Sequence, residues 1–440
     1  MKLIRNVVII DVNEGEKILI NTLNGRIHLL ERKNIQVFDT WRKCETITPR
    51  NDCEKDFYGA LLKGGYLIQD DAAEISLKNK ITSALREKHV KQRTKFSILT
   101  FVLTYDCNFR CPYCYELDSV TYGKTMTKEM IDAAFELAGE NLNIIGLFGG
   151  EPLLAKNRQL IEYIFERGCE KRFQIATNGY TLLNYVNLLE KHKIEFLQVT
   201  IDGPENIHNN RRFLADGSPT YRRILKGIEE CLLREVPIHI RMNADKLNLE
   251  QCKELQDELT KKWEKHEDYL SFEIAPLFQL KAEDHFDVVK ALCDRDYGKS
   301  FKELTKSNNI LKTFRPITNY FLCGEEFKPA YTFCHANGGN VLVDPFGDIY
   351  SCILALGKEE WTVGKYYPEK TLKENSVLMR TIDEIAQCKK CEYALLCGGC
   401  PLKLKDDSGD AFRPRCSETR GEIHNLIPYL YNKKTRLEKF

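Results

Sequence analysis

Apolar residues recur along this chain with two different rhythms, and the rhythm changes near residue 96. Before it, short apolar runs at Val7–Ile10, Lys17–Ile20 and Arg26–Leu30 predict three strands, with a turn at Asn24 and Gly25 between the last two. A helical stretch and the segment Leu61–Ile68 follow. Residues 1–90 therefore read as a separate unit, and the charged run Lys88–Lys95 reads as a linker. From Phe96 strand and helix patterns alternate. Strands are predicted at Ser97–Leu103, Asn143–Phe148, Arg172–Ala176, Phe196–Ile201, Pro237–Met242 and Leu270–Ala275. Helices are predicted at Thr127–Leu142, Asn157–Lys171, Leu182–Lys193, Thr220–Arg234 and Glu250–Glu264. The first of these places Ile131, Ala134, Phe135 and Ala138 on one face, with Thr127 as its N-cap. Such βα units in series predict an α/β fold, a parallel sheet with right-handed crossovers. The pattern alone allows an open sheet or a barrel. The rhythm spans residues 91–310. Residues 311–425 lose it and become rich in cysteine, and 426–440 form a tail. Val341–Tyr350 reads as a hairpin turning at Pro345 to Gly347.

Composition narrows the class. The chain has 440 residues, 43% of them hydrophobic, and a net charge of +1. That balance predicts a globular protein with no nucleic-acid or membrane partner. No apolar run reaches the length of a membrane span. The start is basic and then apolar, but Asp11 and Glu14 interrupt it, so a first strand is expected rather than a signal peptide, and the location expected is cytoplasmic. Seventeen cysteines in a chain of this length without an export signal point to metal rather than to disulfides. Cys44, Cys53, Cys169, Cys231, Cys252 and Cys293 are scattered and read mostly as small buried hydrophobes.

Cys107-x3-Cys111-x2-Cys114 directly follows the strand Ser97–Leu103. Three thiolates on one loop can hold three irons of a cubane and leave the fourth open, whereas a ferredoxin closes every iron. A zinc knuckle is the alternative, but zinc asks for four ligands. The spacing, with Tyr113 before the last cysteine, resembles the signature of the radical S-adenosylmethionine (radical SAM) enzymes. The resemblance implies a partial (β/α)6 barrel with its site at the C-terminal strand ends. It implies SAM chelating the open iron of a 4Fe-4S cluster and cleaved to a 5′-deoxyadenosyl radical, with Cys107, Cys111 and Cys114 as the catalytic ligands. Gly149-Gly150-Glu151-Pro152 closes the second strand and resembles the family motif that binds the SAM amino group. Thr177 and Asn178, with Gly179, match a loop lining the site. Thr200 falls where relatives carry a serine that contacts SAM. Arg212 falls on their arginine, with Arg211 as a register alternative. His208 and Asn209 are read as local caps. Arg241 and Asn243 share a strand face with the site.

The later cysteines resemble a SPASM domain, which extends radical SAM enzymes that act on peptides and proteins. By that pattern Cys323, Cys334, Cys352 and Cys400 hold one auxiliary 4Fe-4S cluster, and Cys388, Cys391, Cys397 and Cys416 hold a second, three clusters in all. Cys397 and Cys400 are separated by two residues where relatives have three. A zinc ribbon on Cys388, Cys391, Cys397 and Cys400 is the bland alternative, though its pairs stand close for one.

Within this family, sulfatase maturases place an aspartate after the glycine-linked cysteine. Here Ile353 follows Cys352, which argues against that reaction. Residues 1–90, with the wing-like Gly64–Ile68, resemble the winged-helix-like α+β element with which peptide maturases bind a leader by strand addition. A domain that only braces the barrel is the alternative. The resemblance thus implies an oxidoreductase, a maturase of a ribosomally made precursor peptide with a leader. It would install a crosslink, a thioether first and a carbon–carbon or carbon–oxygen bond second, fed by a flavodoxin or ferredoxin-type donor. A sulfatase-maturase-like formylglycine enzyme and a multi-cluster electron carrier are the other readings. Every assigned ligand lies at or after Cys107, so removal of residues 1–90 is expected to leave the clusters in place.

Overall fold

The structure is a computed structural model that describes residues 1–93, 95–116, 122–277, 317, 320–321, 324–332, 338–373, 381–399 and 416–434. Cys323, Cys334, Cys400 and Cys293 lie outside the described residues. The chain opens with β1 (Lys2–Leu3), β2 (Val7–Asn13), β3 (Glu16–Asn21) and β4 (Ile27–Glu31). Then come α1 (Arg32–Trp41), α2 (Asp52–Lys63), β5 (Leu67–Ile68) and α3 (Asp71–Arg93). β2, β3 and β4 form an antiparallel sheet with β2 and β4 at its edges, and β1 pairs with β5. The three expected strands are present.

The segments around them differ from the sequence reading. In Leu61–Ile68, α2 runs on to Lys63 and the chain turns at Gly65 (φ +74°), so only Leu67 and Ile68 are extended. The expected linker Lys88–Lys95 is helical as far as Arg93. Asp71–Arg93 contains no Gly or Pro and is rich in residues that favour a helix, so charge alone does not end it.

The middle of the chain alternates β6 (Ile98–Val102), α4 (Lys128–Ala138), β7 (Ile144–Phe148), α5 (Arg158–Arg167), β8 (Arg172–Thr177), α6 (Val186–Leu189) and β9 (Ile194–Thr200). It continues with α7 (Glu205–Arg211), α8 (Tyr221–Leu233), β10 (Ile238–Ala244), α9 (Leu249–Lys262) and β11 (Leu270–Pro276). β6 to β11 lie side by side in chain order, all parallel. Each crossover steps the same way, as in a barrel wall; a doubly wound sheet reverses its order partway. β6 and β11 do not pair with each other among the described residues, so the wall is open.

Each strand lies within two residues of its expected bounds at either end. Thr127 caps α4, its hydroxyl accepting from the Met130 amide. α4 stops before Leu142 because Gly139 takes φ +67°. The helix expected over Leu182–Lys193 is a tight turn at Leu182–Asn184 followed by the single turn α6. Its apolar face is the expected one, with Leu182, Tyr185, Val186 and Leu189 buried. The close approach of Leu182 to Gly227 and the Tyr185 hydroxyl bond to the Leu154 carbonyl at 2.8 Å hold the tighter path.

The final region supplies β12 (Asn340–Val343), β13 (Asp348–Tyr350), β14 (Gly364–Lys365), β15 (Thr371–Leu372), α10 (Ala386–Lys389), α11 (Ala394–Cys397) and α12 (Cys416–Lys434). β12 and β13 are the expected hairpin, and Gly347 (φ +82°) sits in its turn against the Tyr367 carbonyl. β12 also lies parallel to β6 and prolongs the barrel sheet. Ile423, Leu426, Ile427 and Leu430 of α12 share a core with Val8, Ile10, Ile18, Ile20, Ile27 and Leu29. The other face of that small sheet, through Leu19 and Leu30, packs on Phe38, Trp41, Phe57 and Leu61. The first unit is therefore fused to the cysteine-rich region. No described helix is long and apolar enough to cross a membrane.

Candidate active site

β6 delivers the chain to the loop that carries Cys107, Cys111 and Cys114. Cys111 is buried and the other two are half-buried. The Cys114 amide donates to the Cys111 carbonyl at 3.1 Å, and the Phe109 amide to Cys107 Sγ at 3.4 Å. Burial, and then the Glu151 carboxylate, push the Cys107 thiol up to about 12. Burial also raises Cys111 and Cys114. Such a pocket holds its thiols protonated unless a metal is coordinated, which ionises them outright. Among the described residues no three His, Cys, Asp or Glu side chains converge on a single ion. The thiolates of a cubane bind separate irons, so the triad fits a cluster better than it fits zinc.

β7 ends in Gly149 (φ +76°) and Gly150 (φ +51°). A Cβ on Gly150 would lie 2.5 Å from the Asp106 carbonyl oxygen, so this turn nests directly on the cysteine loop. The Glu151 amide donates to the same carbonyl at 2.9 Å. Glu151 is fully buried. Its Oε1 accepts from the Thr177 hydroxyl (2.7 Å) and the Leu153 amide (2.8 Å), and its Oε2 from the Asn178 amide (2.7 Å). That leaves one acceptor position on Oε2. Pro152 is buried beside it and accepts at its carbonyl from Asn157. Asn178 Nδ2 donates to Asn108 Oδ1 at 2.8 Å and reaches Cys107 Sγ at 3.9 Å. The Gly-Gly-Glu-Pro turn, Thr177, Asn178 and the triad are thus one constellation.

Arg211 and Arg212 separate clearly. Arg211 bonds Asp202 (3.4 Å), Asp245 (2.9 Å) and the Asn243 carbonyl (3.3 Å). Arg212 donates from Nη1 to the Tyr113 hydroxyl at 2.8 Å, and its Nε is buried without any acceptor. A buried orphan donor calls for a partner. An anionic carboxylate is the natural one for arginine. The residues therefore fit the carboxylate end of SAM. Thr200, buried at the end of β9, lies opposite Arg241 in register.

His208 bonds the Asp202 amide (3.3 Å) and the Thr220 hydroxyl (3.0 Å), while Asn209 Oδ1 accepts from the Thr220 and Tyr221 amides and caps α8. Both are local organisers, as expected. Arg241 is held by Glu273 at 2.8 Å and by Asn243 at 3.1 Å.

Two residues escape the sequence reading. Asp202 is fully buried, takes the Tyr113 hydroxyl, and accepts from the Asn243 amide at 3.0 Å. Glu116 is buried beside the triad, accepts from the Gly150 amide at 2.8 Å, and is raised by burial. The available signals were a carboxylate closing a strand before Gly203 and an acid two positions past Cys114.

Cys388, Cys391, Cys397 and Cys416 line a single small cavity with Ile382, Tyr393 and Arg420. Burial pushes Cys397 up to about 12. Cys352 follows β13 and packs at the edge of the barrel core. Its expected partners, Cys323, Cys334 and Cys400, lie outside the described residues.

Residues 101–259 match the model of the Radical SAM superfamily, and they form a radical SAM domain. The chain is 26% identical over 348 residues to the AdoMet-dependent heme synthase of Methanosarcina barkeri, covering 71% of this chain and 93% of the relative. It is 22% identical to a cysteine-type anaerobic sulfatase-maturating enzyme of Clostridium perfringens, covering 76% and 97%. Among solved structures, native anSMEcpe with bound AdoMet superposes with a TM-score of 0.56 at 19% identity, over 76% of this chain and 98% of that one. Streptococcus suis SuiB bound to its precursor peptide SuiA superposes with a TM-score of 0.55 at 15% identity, over 95% and 99%. These likenesses establish the fold, and the one to SuiB runs over nearly the whole chain.

Proposed function

We propose that this chain is a radical SAM maturase of a precursor peptide, with three 4Fe-4S clusters on the cysteine sets named above. The buried, unpartnered Nε of Arg212, beside the Tyr113 of the triad loop, carries the SAM part of this reading. Cys107, Cys111 and Cys114 would hold a cluster that, when bound and reduced, would supply the electron for reductive cleavage of SAM. Around it, Arg212 holds the carboxylate of SAM, the Gly149–Pro152 turn and Glu151 receive its ammonium, and Asn178 steadies Cys107. Removal of a second electron at the auxiliary sites would let a crosslink close, a thioether in the first instance. A flavodoxin or ferredoxin-type protein would deliver the first electron.

The peptide part rests on the edge of β2. A groove of about 590 Å³ runs there, lined by Val7 and Ile9, by Phe38 of α1 and Arg42 just after it, and by Glu392 and Tyr393. An edge strand offers unpaired backbone groups to an incoming strand, and side pockets add selectivity. The likeness to SuiB, a protein seen with its precursor peptide, supports this placement. A formylglycine-forming reaction is the second reading, favoured by the sulfatase-maturating relative. The isoleucine after Cys352 counts against it.

The test is anaerobic reconstitution followed by incubation with SAM, dithionite and a short cysteine-containing peptide sought in the gene's neighbourhood. 5′-Deoxyadenosine should form, and the peptide should lose two hydrogens while keeping its sulfur. Loss of sulfur with gain of an aldehyde would favour the second reading, and absence of 5′-deoxyadenosine would leave an electron carrier. Alanine at Cys107, Cys111 and Cys114 together should abolish SAM cleavage while the remaining iron stays bound.

A further inference from the structure

The cavity of Cys388, Cys391, Cys397 and Cys416 is flanked by two cations from opposite ends of the chain. Lys78, half-buried on α3, donates to the Lys389 carbonyl at 2.8 Å, between Cys388 and Cys391. Arg420, one turn after Cys416 on α12, donates from Nη2 to Cys391 Sγ at 3.6 Å. Its guanidinium lies 5.0 Å from the ring centre of Tyr393. The Tyr393 hydroxyl is in turn bonded to His424 Nε2 at 2.8 Å. Arg420 is therefore aimed at the sulfur by a stacked ring that is itself anchored. The carboxylates facing these cations, Glu74 and then Asp383 for Lys78 and Glu392 for Arg420, offset part of this charge.

Net charge and hydrogen bonds to sulfur are among the levers that set an iron–sulfur potential. Reduction adds negative charge to a cluster, so a neighbouring cation favours the reduced form. A donor on the thiolate withdraws electron density in the same sense. We propose that Arg420, braced by Tyr393, and Lys78 raise the reduction potential of the cluster held by these four cysteines and so make it an electron-accepting site. This rests on the reading of the cavity as a cluster site given above. It assigns both residues a positioning role, since neither is a ligand.

The test is a redox titration of the reconstituted holoenzyme with dithionite and mediators, followed by electron paramagnetic resonance. Arg420→Met should lower the midpoint of one cluster and leave the others unmoved. The expected size is about a tenfold fall in the reduced-to-oxidised ratio at the wild-type midpoint, about 59 mV for a one-electron couple. Arg420→Lys, which keeps the charge but not the planar stack, should recover part of the shift. Tyr393→Leu should shift in the same direction by less. Lys78→Met touches only a backbone carbonyl and carries the test should Arg420→Met lose iron. Unchanged midpoints in Arg420→Met or Lys78→Met at full iron content would overturn the corresponding role. Full iron retention in Cys391→Ala would instead remove the cluster reading itself, so iron content tells the two failures apart.

Discussion

Arg211 and Arg212 stand next to each other and do different work because helix α7 ends between them. Arg211 still points back to two carboxylates and is neutralised by them. Arg212, at φ −137°, turns towards Tyr113 and keeps one buried donor in reserve. A charge-assisted hydrogen bond is worth about 1.5–3 kcal/mol, so Arg212→Ala should weaken SAM binding by about 10- to 100-fold without loss of iron. Arg212→Lys should restore only part. Equilibrium binding of SAM to the reconstituted protein measures this, and equal affinity in the alanine variant would rule out the role. Sequence placed the role on Arg212 with Arg211 as a register alternative, because the separation turns on which side chain finds carboxylates in space. Asp202 and Glu116 were passed over for the same reason. A carboxylate is ordinary on a surface, and only the fold buries these two.

Among the elements that build the site, the Gly149–Gly150 turn is tightly specified. The backbone of the cysteine loop occupies the space where a side chain at Gly150 would go, and backbone cannot swing aside. Gly150→Ala combines this clash with a positive φ, a local cost of about 3 kcal/mol or more. The variant should lose SAM cleavage and the iron of the triad, while the iron of the other cysteines remains, as iron analysis and spectroscopy would show. Normal SAM turnover in the variant would mean that the turn can move. The motif was legible in sequence because it resembles the family's Gly-Gly-Glu-Pro and closes the strand that follows the cysteine loop. The six barrel strands were legible because apolar runs bounded by turns allow little else. The tight turn before α6 and the continuation of α3 to Arg93 were not. The first depends on partners distant in sequence, Gly227 and Leu154; in the second, the charge of Lys88–Lys95 masked a run that has no helix breaker.

On the scale of the whole molecule, the small sheet of the first unit is clamped between its own helices and α12. Sequence suggested that residues 1–90 could be removed without disturbing any ligand. The shared core says otherwise. Deletion uncovers Ile423, Leu426, Ile427 and Leu430, and re-exposing four such side chains costs up to about 6–12 kcal/mol. It also removes Lys78 from the Lys389 carbonyl and Thr22 from the Glu392 carbonyl, which it contacts at 3.1 Å. The truncated chain should therefore keep the triad and slow SAM cleavage, yet lose iron from the Cys388 set and unfold at a lower temperature. Full iron with an unchanged melting temperature would show that the two regions are independent.

Tyr393 forms part of the wall of the β2 groove and part of the wall of the cysteine cavity. Two sites that share a side chain are joined by a coupling free energy, and such a coupling acts equally in both directions. If a strand in the groove shifts Tyr393, and Arg420 with it, the midpoint of the neighbouring cluster moves. By the same amount, the arrival of an electron changes how tightly the strand is held. Substrate affinity would then become a readout of redox state, and a finished peptide could be released by the electron transfer that completes it.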